Sequence, residues 1–265
     1  MKYAFDHDYH IHSQLSECSS DPEQTTERIL AYAKENGLTN ICLTDHFWDE
    51  KVAGASRWYA PQNFEHVKKA LPLPQADGVK FYFGVETEMR EDYTLGISKE
   101  RFDEFDFVII PTTHLHMDGF TISREATDLQ RAEAYVKRWD ALLEMDLPFR
   151  KIGLAHPLCS LINARGDWMK TMTAVGEKEL LRLLSATARK GMGVEINMDD
   201  VNVEGERLDF TLRFYALAKE CGCKFYLGSD AHNPKGLISA PDIFARTIDL
   251  IGLTEDDKFH FSNEG

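Results

Sequence analysis

Residues Phe107-Val108-Ile109-Ile110-Pro111 are apolar on both faces of an extended chain and run directly into Thr112-Thr113-His114-Leu115-His116. An apolar run this short, with no polar face, reads as a strand buried on both sides of a parallel sheet. Six further β-rich runs are spread along the chain, at 8–11, 40–43, 80–85, 151–155, 193–196 and 224–227. Amphipathic helical patterns fall between them at 22–36, 126–144, 177–190 and 210–220, with Gly37, Gly191 and Gly222 placed as C-caps. Repeated strand–helix alternation implies a parallel sheet with right-handed crossovers. About seven such units point to a closed barrel rather than an open sheet. The polar tail from Thr254 is expected to fray, with Glu255-Asp256-Asp257 as a solvated helix start.

Length and composition agree with one domain over 1–265. The chain has 265 residues, 43% hydrophobic and 11% aromatic, enough for a real core. That excludes a disordered or fibrous chain. Forty-four acidic residues against 30 basic ones give a net charge of −14. Such a surface repels phosphate backbones and anionic lipid, so stable nucleic-acid or membrane-surface binding is not expected. No apolar run is long enough to span a membrane, and the first residues lack the apolar segment of a signal peptide. The five cysteines are odd in number and lack zinc-ribbon or redox spacing. A cytoplasmic location is the expectation.

The strand ends carry the chemistry. In order they read Asp8-Tyr9-His10-Ile11-His12, Thr44-Asp45-His46, Gly84-Val85-Glu86-Thr87-Glu88, Thr113-His114, Ala155-His156-Pro157, Glu195-Ile196-Asn197 and Ser229-Asp230-Ala231-His232. In a barrel these ends converge on one face. His10 and His12 are two residues apart on a strand, so their side chains point the same way, and Asp230 and His232 share that spacing. Imidazole and carboxylate together suit zinc, iron or manganese. The supply of donors exceeds what one ion needs, so two to three divalent ions are expected, with a carboxylate such as Glu86 bridging.

The ordered set His10-Ile11-His12, Thr44-Asp45-His46, Gly84-Val85-Glu86, His114, Ala155-His156-Pro157 and Ser229-Asp230-Ala231-His232 resembles the PHP (polymerase and histidinol phosphatase) superfamily. The resemblance spans residues 8–234 and implies a distorted (β/α)7 barrel of TIM-barrel type. In length the chain is similar to the stand-alone histidinol-phosphate phosphatases. The resemblance implies one metal on His10, His12 and Asp230, a second on His46 and His232, and a third on His114 and His156, with Glu86 bridging two ions. Family members often carry another His or Asp about six residues after the second His of the first motif. Here that position is Cys18, so Cys18, Glu17 or Asp21 is left to supply the donor, or one site is weaker.

Clustered divalent ions lower the pKa of water, neutralise phosphoryl oxygens and align attacking and leaving groups. Little covalent work remains for the protein. The expected reaction is hydrolysis of a small phosphorylated metabolite by direct attack of a metal-bridged hydroxide. L-histidinol phosphate leads the candidates on family resemblance alone, and histidine biosynthesis is the pathway that substrate would imply. Asp230, His232 and Glu86 are the catalytic candidates. Arg165, Arg57 and Arg124 are candidates to hold phosphate, Arg165 slightly favoured, with His116 as a further ligand or substrate contact. Glu195 or Asn197 could orient a ligand histidine or serve core hydrogen bonding. Trp48, Trp58 and Tyr59 could stack on a substrate ring or form an apolar lid. His7, His66 and His260 are read as surface or capping residues. The alternatives are a nucleotide or oligonucleotide phosphodiesterase, a C–N bond hydrolase on the same metals, and a non-catalytic metal-binding barrel.

Overall fold

The fold was determined as a computed structural model, which describes residues 1–261. Eight parallel strands build one sheet: β1 (His7–Ile11), β2 (Asn40–Leu43), β3 (His46–Phe47), β4 (Lys80–Thr87), β5 (Phe107–Pro111), β6 (Ile152–Ala155), β7 (Gly193–Asn197) and β8 (Lys224–Gly228). The order around the sheet follows the chain from β1 to β8, and β3 pairs with β4 beyond the end of β2. The seam between β1 and β8 is closed by main-chain and side-chain bonds. Asp230 N–H donates to His10 O at 2.7 Å, and His12 N–H to Ala231 O at 3.1 Å. The result is a single, nearly closed barrel of TIM type, as the strand count implies.

Helices α1 (Thr26–Glu35), α2 (Phe64–Val67), α3 (Asp128–Glu144), α4 (Trp168–Val175), α5 (Glu177–Lys190), α6 (Met198–Val201), α7 (Glu206–Glu220) and α8 (Pro234–Ile251) surround it. Their starts follow ordinary capping chemistry. Thr25 accepts from Arg28 N–H at α1, and Thr127 with Gln130 forms a capping box at α3. Leu180, Leu183, Leu184 and Thr187 make the buried stripe of α5, which stops at Gly191 with φ +75°.

Along the strands, alternate side chains go to the helix layer or the barrel interior. Val108 and Ile110 join the outer core, whereas Phe107 and Ile109 face inward. Phe107, Tyr9, Tyr226, Cys42, Ile109, Ala155 and Phe259 fill the lower interior. Gly153 belongs to this packing, because a Cβ there would lie 2.4 Å from the Tyr226 hydroxyl. On β1 the register shifts between Asp8 and Ile11. That bulge lets Tyr9 join the aromatic interior while the next residue, His10, joins the polar cluster above it.

Several sequence expectations are corrected. His46 lies in a separate two-residue strand rather than at the end of β2. The sequence reading left out α8, whose N-cap Asn233 accepts from Lys235 and Gly236 N–H. His7 is buried, not superficial, and its Nε2 accepts from Leu227 N–H at 3.1 Å. Trp48 is also buried, with its indole N–H donating to Val52 O. The segment after Thr254 is packed rather than frayed. Glu255 accepts from Ala4 N–H at 2.6 Å, Phe259 N–H donates to Phe225 O at 2.8 Å, and the Phe259 ring seals the aromatic interior. Residues 262–265 of that tail lie outside the described residues. Among the described residues, no helix is long and apolar enough to cross a membrane.

Candidate metal centre

The upper interior brings together all eight histidine and carboxylate ligands expected from the sequence. Four overlapping sets of three donors form: His12, His46 and His232; His10, His156 and Asp230; His10, His12 and Glu86; and Glu86, His114 and His156. Within each set the donor atoms lie within 4.8 Å of one another. Glu86 stands at the junction. Its Oε2 is 3.5 Å from His10 Nε2, 3.3 Å from His12 Nε2 and 3.2 Å from His46 Nδ1, and its Oε1 is 3.0 Å from His156 Nε2. Asp230 Oδ1 lies 3.2 Å from His10 Nε2 and 3.1 Å from His12 Nε2. The groupings cross those implied by family resemblance, since His12 also joins His46 and His232, and His10 also joins His156 and Asp230.

These residues fit divalent metal ions. The Nε2 atoms of His10 and His12 face each other at 3.0 Å, which two neutral acceptor nitrogens cannot sustain without a proton or cation between them. His46 Nδ1 is buried without a hydrogen-bond partner. His156 and Asp230 hold positive φ, +27° and +52°, unusual for residues other than glycine. Strained backbone of this kind at two donor positions is characteristic of a functional site.

The far nitrogen of five histidines is held from behind, which fixes which nitrogen faces inward. His10 Nδ1 is 2.7 Å from Glu195 Oε1, and Glu195 Oε2 also accepts from His156 N–H. Asn197 donates to Glu195 Oε1 at 3.2 Å, so the two residues flagged in the sequence work together. His114 Nδ1 is 2.9 Å from Glu88 Oε2, whose other oxygen takes Arg138 Nη2 at 2.6 Å. Arg138 reaches in from α3, fully buried, and also donates to Met89 O and Thr112 O. His12 Nδ1 lies 3.0 Å from Ser16 Oγ, whose own proton goes to Asp45 Oδ1 at 2.6 Å. Thr113 Oγ1 is 3.2 Å from His156 Nδ1, and Asp230 O is 2.6 Å from His232 Nδ1.

Sequence reading quoted Glu88 and Asp45 at the strand ends without giving them a role, and missed Arg138 and Ser16 as parts of this site. Glu88 carried a usable signal, because Glu86-x-Glu88 at the end of β4 places both carboxylates on one side of an extended chain. Arg138 carried none, since it sits on a helix beyond the motifs.

Electrostatics follow from burial and crowding. Burial raises the Glu86 carboxyl pKa, but the electrostatic effect of the adjacent His46 ring and hydrogen bonds from His10, His12 and His156 outweigh it and hold it well below the usual range. Asp230 likewise loses more from His10, His12 and His232 than burial adds. Burial disfavours the cationic form of His156, yet Glu86 prevails and lifts it to about 9. For His46 burial wins, and its pKa falls well below normal. Burial likewise lowers His232, to about 4.

Above the cluster opens a cavity of about 580 Å³. Trp58, Tyr59, Met117, Phe120 and Leu161 give it apolar walls, with Arg57, His116 and Cys18 also lining it. Trp58 packs edge-on against both His46 and Tyr59. Cys18 borders the cavity but belongs to none of the three-donor sets, and burial raises its thiol pKa. Glu17 and Asp21 do not line the cavity. Of the three candidate arginines, Arg57 lines it, whereas Arg124 and Arg165 line a smaller neighbouring cleft. His66, half-buried, bonds Leu15 O, and His260 is exposed.

The family model of the PHP domain matches residues 8–199, and the chain belongs to that family. Two solved structures share its fold. Histidinol phosphate phosphatase from Lactococcus lactis, complexed with zinc, L-histidinol and phosphate, aligns with a TM-score of 0.61 at 19% identity, over 91% of this chain and 93% of its own. A histidinol phosphatase structure from Listeria monocytogenes aligns with a TM-score of 0.57 at 16% identity, over 87% of this chain and 96% of its own. No curated protein matches the sequence.

Proposed function

We propose that this chain is a metal-dependent phosphomonoesterase acting on a small phosphorylated metabolite. The observation that carries this reading is the junction at Glu86, where one buried carboxylate is shared by five histidines and Asp230 completes the ring. His10, His12, His46, Glu86, His114, His156, Asp230 and His232 would hold two to three divalent ions of zinc, iron or manganese. Bound there, such ions would activate water, neutralise phosphoryl charge and align the groups that react.

The chain's own residues do the rest. Glu195, Glu88, Ser16 and Thr113 keep the histidines aimed inward. Arg57 lines the cavity and is placed to meet phosphoryl oxygens there. Asp230, half-buried and ionised, is placed to move a proton at Oδ1. The apolar walls from Trp58 to Phe120 suit a compact leaving group, not a charged polymer. Histidinol phosphate is the first candidate because the family and the two fold neighbours point to it. With that substrate the chain would act in histidine biosynthesis, and its odd, unspaced cysteines suit a reducing cytoplasm.

The test is hydrolysis of p-nitrophenyl phosphate beside histidinol phosphate by the metal-reconstituted chain, with His10→Ala as control. Turnover lost in the control is expected. Absence of turnover with stoichiometric zinc, iron or manganese would sink the reading, and the same chain would then be assayed on a dinucleotide and an amide.

A further inference from the structure

Beside the metal cavity is a cleft of about 60 Å³ that shares His116 and Asp118 with it. Its other walls are Arg124, Arg131, Ala164 and Arg165. Three guanidinium groups against one carboxylate make this cleft net positive in a chain whose charge is −14. The cleft is a built feature. Arg131 is buried and bonds only main-chain carbonyls: Leu115 O at 2.6 Å, Arg124 O at 3.1 Å, Ala126 O at 3.2 Å and Ile162 O at 3.5 Å. It thereby ties the loop after β5, which carries Arg124, to the loop after β6, which carries Arg165. Among the described residues no carboxylate pairs with it in return.

Asp118 occupies Arg124, at 3.4 Å from Nε, and also accepts from Arg124 N–H at 2.7 Å. Arg165 is exposed, and among the described residues its guanidinium has neither a hydrogen bond nor an ion pair. At about 60 Å³ the cleft is several times the ~10–15 Å³ that a single water needs, which leaves room for a carboxylate or the oxygens of a phosphate. Arginine forks match both groups.

We propose that this cleft receives a second anionic group of the substrate, a carboxylate or a second phosphate, while the ester phosphate occupies the metal cavity. The proposal rests on the phosphomonoesterase reading and sharpens it. Histidinol phosphate, first on family grounds, carries an ammonium group and no second anion, so a cleft that binds an anion would put anion-tailed phosphomonoesters ahead of it.

The test is calorimetric titration of the metal-reconstituted full chain with n-butylphosphonate, 4-phosphonobutanoate and butane-1,4-bisphosphonate, together with the two- and three-carbon members of each series. None of these is hydrolysed, so binding is read without turnover. The expected result is an affinity ratio of roughly tenfold or more in favour of an anion-tailed ligand at one spacing, with the ratio falling towards one in Arg165→Met. A ratio confined to the bisphosphonates assigns the second anion as phosphate, and one shared by the carboxylates assigns either. A ratio of one at every spacing overturns the proposal and leaves the phosphatase reading standing, as does a ratio untouched in folded Arg165→Met and Arg124→Met. Uptake of inorganic phosphate alongside bound butylphosphonate, with no tail preference, identifies a free-anion site and also overturns it. Failure of butylphosphonate itself to bind overturns the phosphatase reading and the proposal with it.

Discussion

The two ends of the barrel interior are made by the same strands with opposite chemistry. At the amino-terminal ends of the strands, Tyr9, Phe107, Tyr226 and Phe259 interlock, with Phe107 and Phe261 stacked at 4.9 Å. At the carboxyl-terminal ends, buried imidazoles and carboxylates face each other at 3.0–3.5 Å. The lower end gains free energy from every apolar atom it hides. The upper end buries charge, which costs free energy unless each group is paired or bound to a cation. One end therefore secures the fold, and the other is held by it in an arrangement it would not adopt alone.

The sharpest way to break this contrast is Glu86→Ala. It removes the carboxylate shared by two of the four donor sets, so turnover should fall by on the order of 10³-fold or more, because metal stabilisation of transition-state charge is worth several kcal/mol. Metal content measured by mass spectrometry should fall with it. Full metal content in this variant would show that Glu86 does not bridge.

Phe107→Ala attacks the other end. It should cost about 3–5 kcal/mol in denaturant unfolding, since it empties a site at the centre of the aromatic interior. Metal stoichiometry at low temperature should stay intact. A loss of metal at constant fold would show that the ends are coupled.

Glu88→Gln leaves the donors in place and removes the charge behind His114, which is also the partner of buried Arg138. Affinity for the ion at Glu86, His114 and His156 should weaken by roughly 10–100-fold, the usual cost of losing such a support. Equilibrium dialysis should show one class of site affected. Equal weakening of all sites would assign Glu88 to general stability.

Acid should act on the upper end by competition. With no metal bound, His156 has a pKa of about 9, so at neutral pH it holds a proton that an incoming ion must displace. Affinity should rise by about tenfold per pH unit for each proton displaced, up to about pH 9. Buffer-dependent binding heats will count the protons, and a count of zero at pH 7 would contradict the assignment.

A further pH effect is expected at Asp200, on α6 just beyond the β7 end. Its carboxylate accepts from Leu158 N–H at 3.0 Å, and burial raises its pKa to about 8. Its unfolded pKa is near 3.8. Between these values the unfolded chain releases a proton that the folded chain keeps. Stability should therefore fall as pH rises from about 4 to about 8, by at most about 1.4 kcal/mol per unit, and level off above. Asp200→Asn keeps an acceptor for Leu158 and should abolish that part of the slope. An unchanged slope in thermal melts would reject the shift.

Much of this was legible in one dimension. Strands with two buried faces have to be apolar throughout, so Phe107 to Pro111 and its counterparts stood out, and the polar residues at their ends marked one face. Donors spaced two apart, such as His10 and His12, carry their geometry in the strand period. Contacts between distant segments had no such local mark. Trp48 and Trp58 look alike in sequence, yet one is buried beneath the loop and the other lines the cavity. Arg57, Arg124 and Arg165 likewise look equivalent until loop packing sends one to the cavity and two to the cleft.

The sequence by itself determined the barrel class, the eight donors and the metal chemistry they suit, because strand period and side-chain type are local properties. Only the tertiary structure decided that Tyr9 and His10 both face inward across a bulge, and that Phe259 returns to seal the lower end. It also decided that Arg138 reaches Glu88 from another layer of the fold and that Arg131 ties two loops into a positive cleft. Each of these depends on residues far apart in the chain meeting in a packed interior, where shape and the need to satisfy buried polar groups select one partner among many.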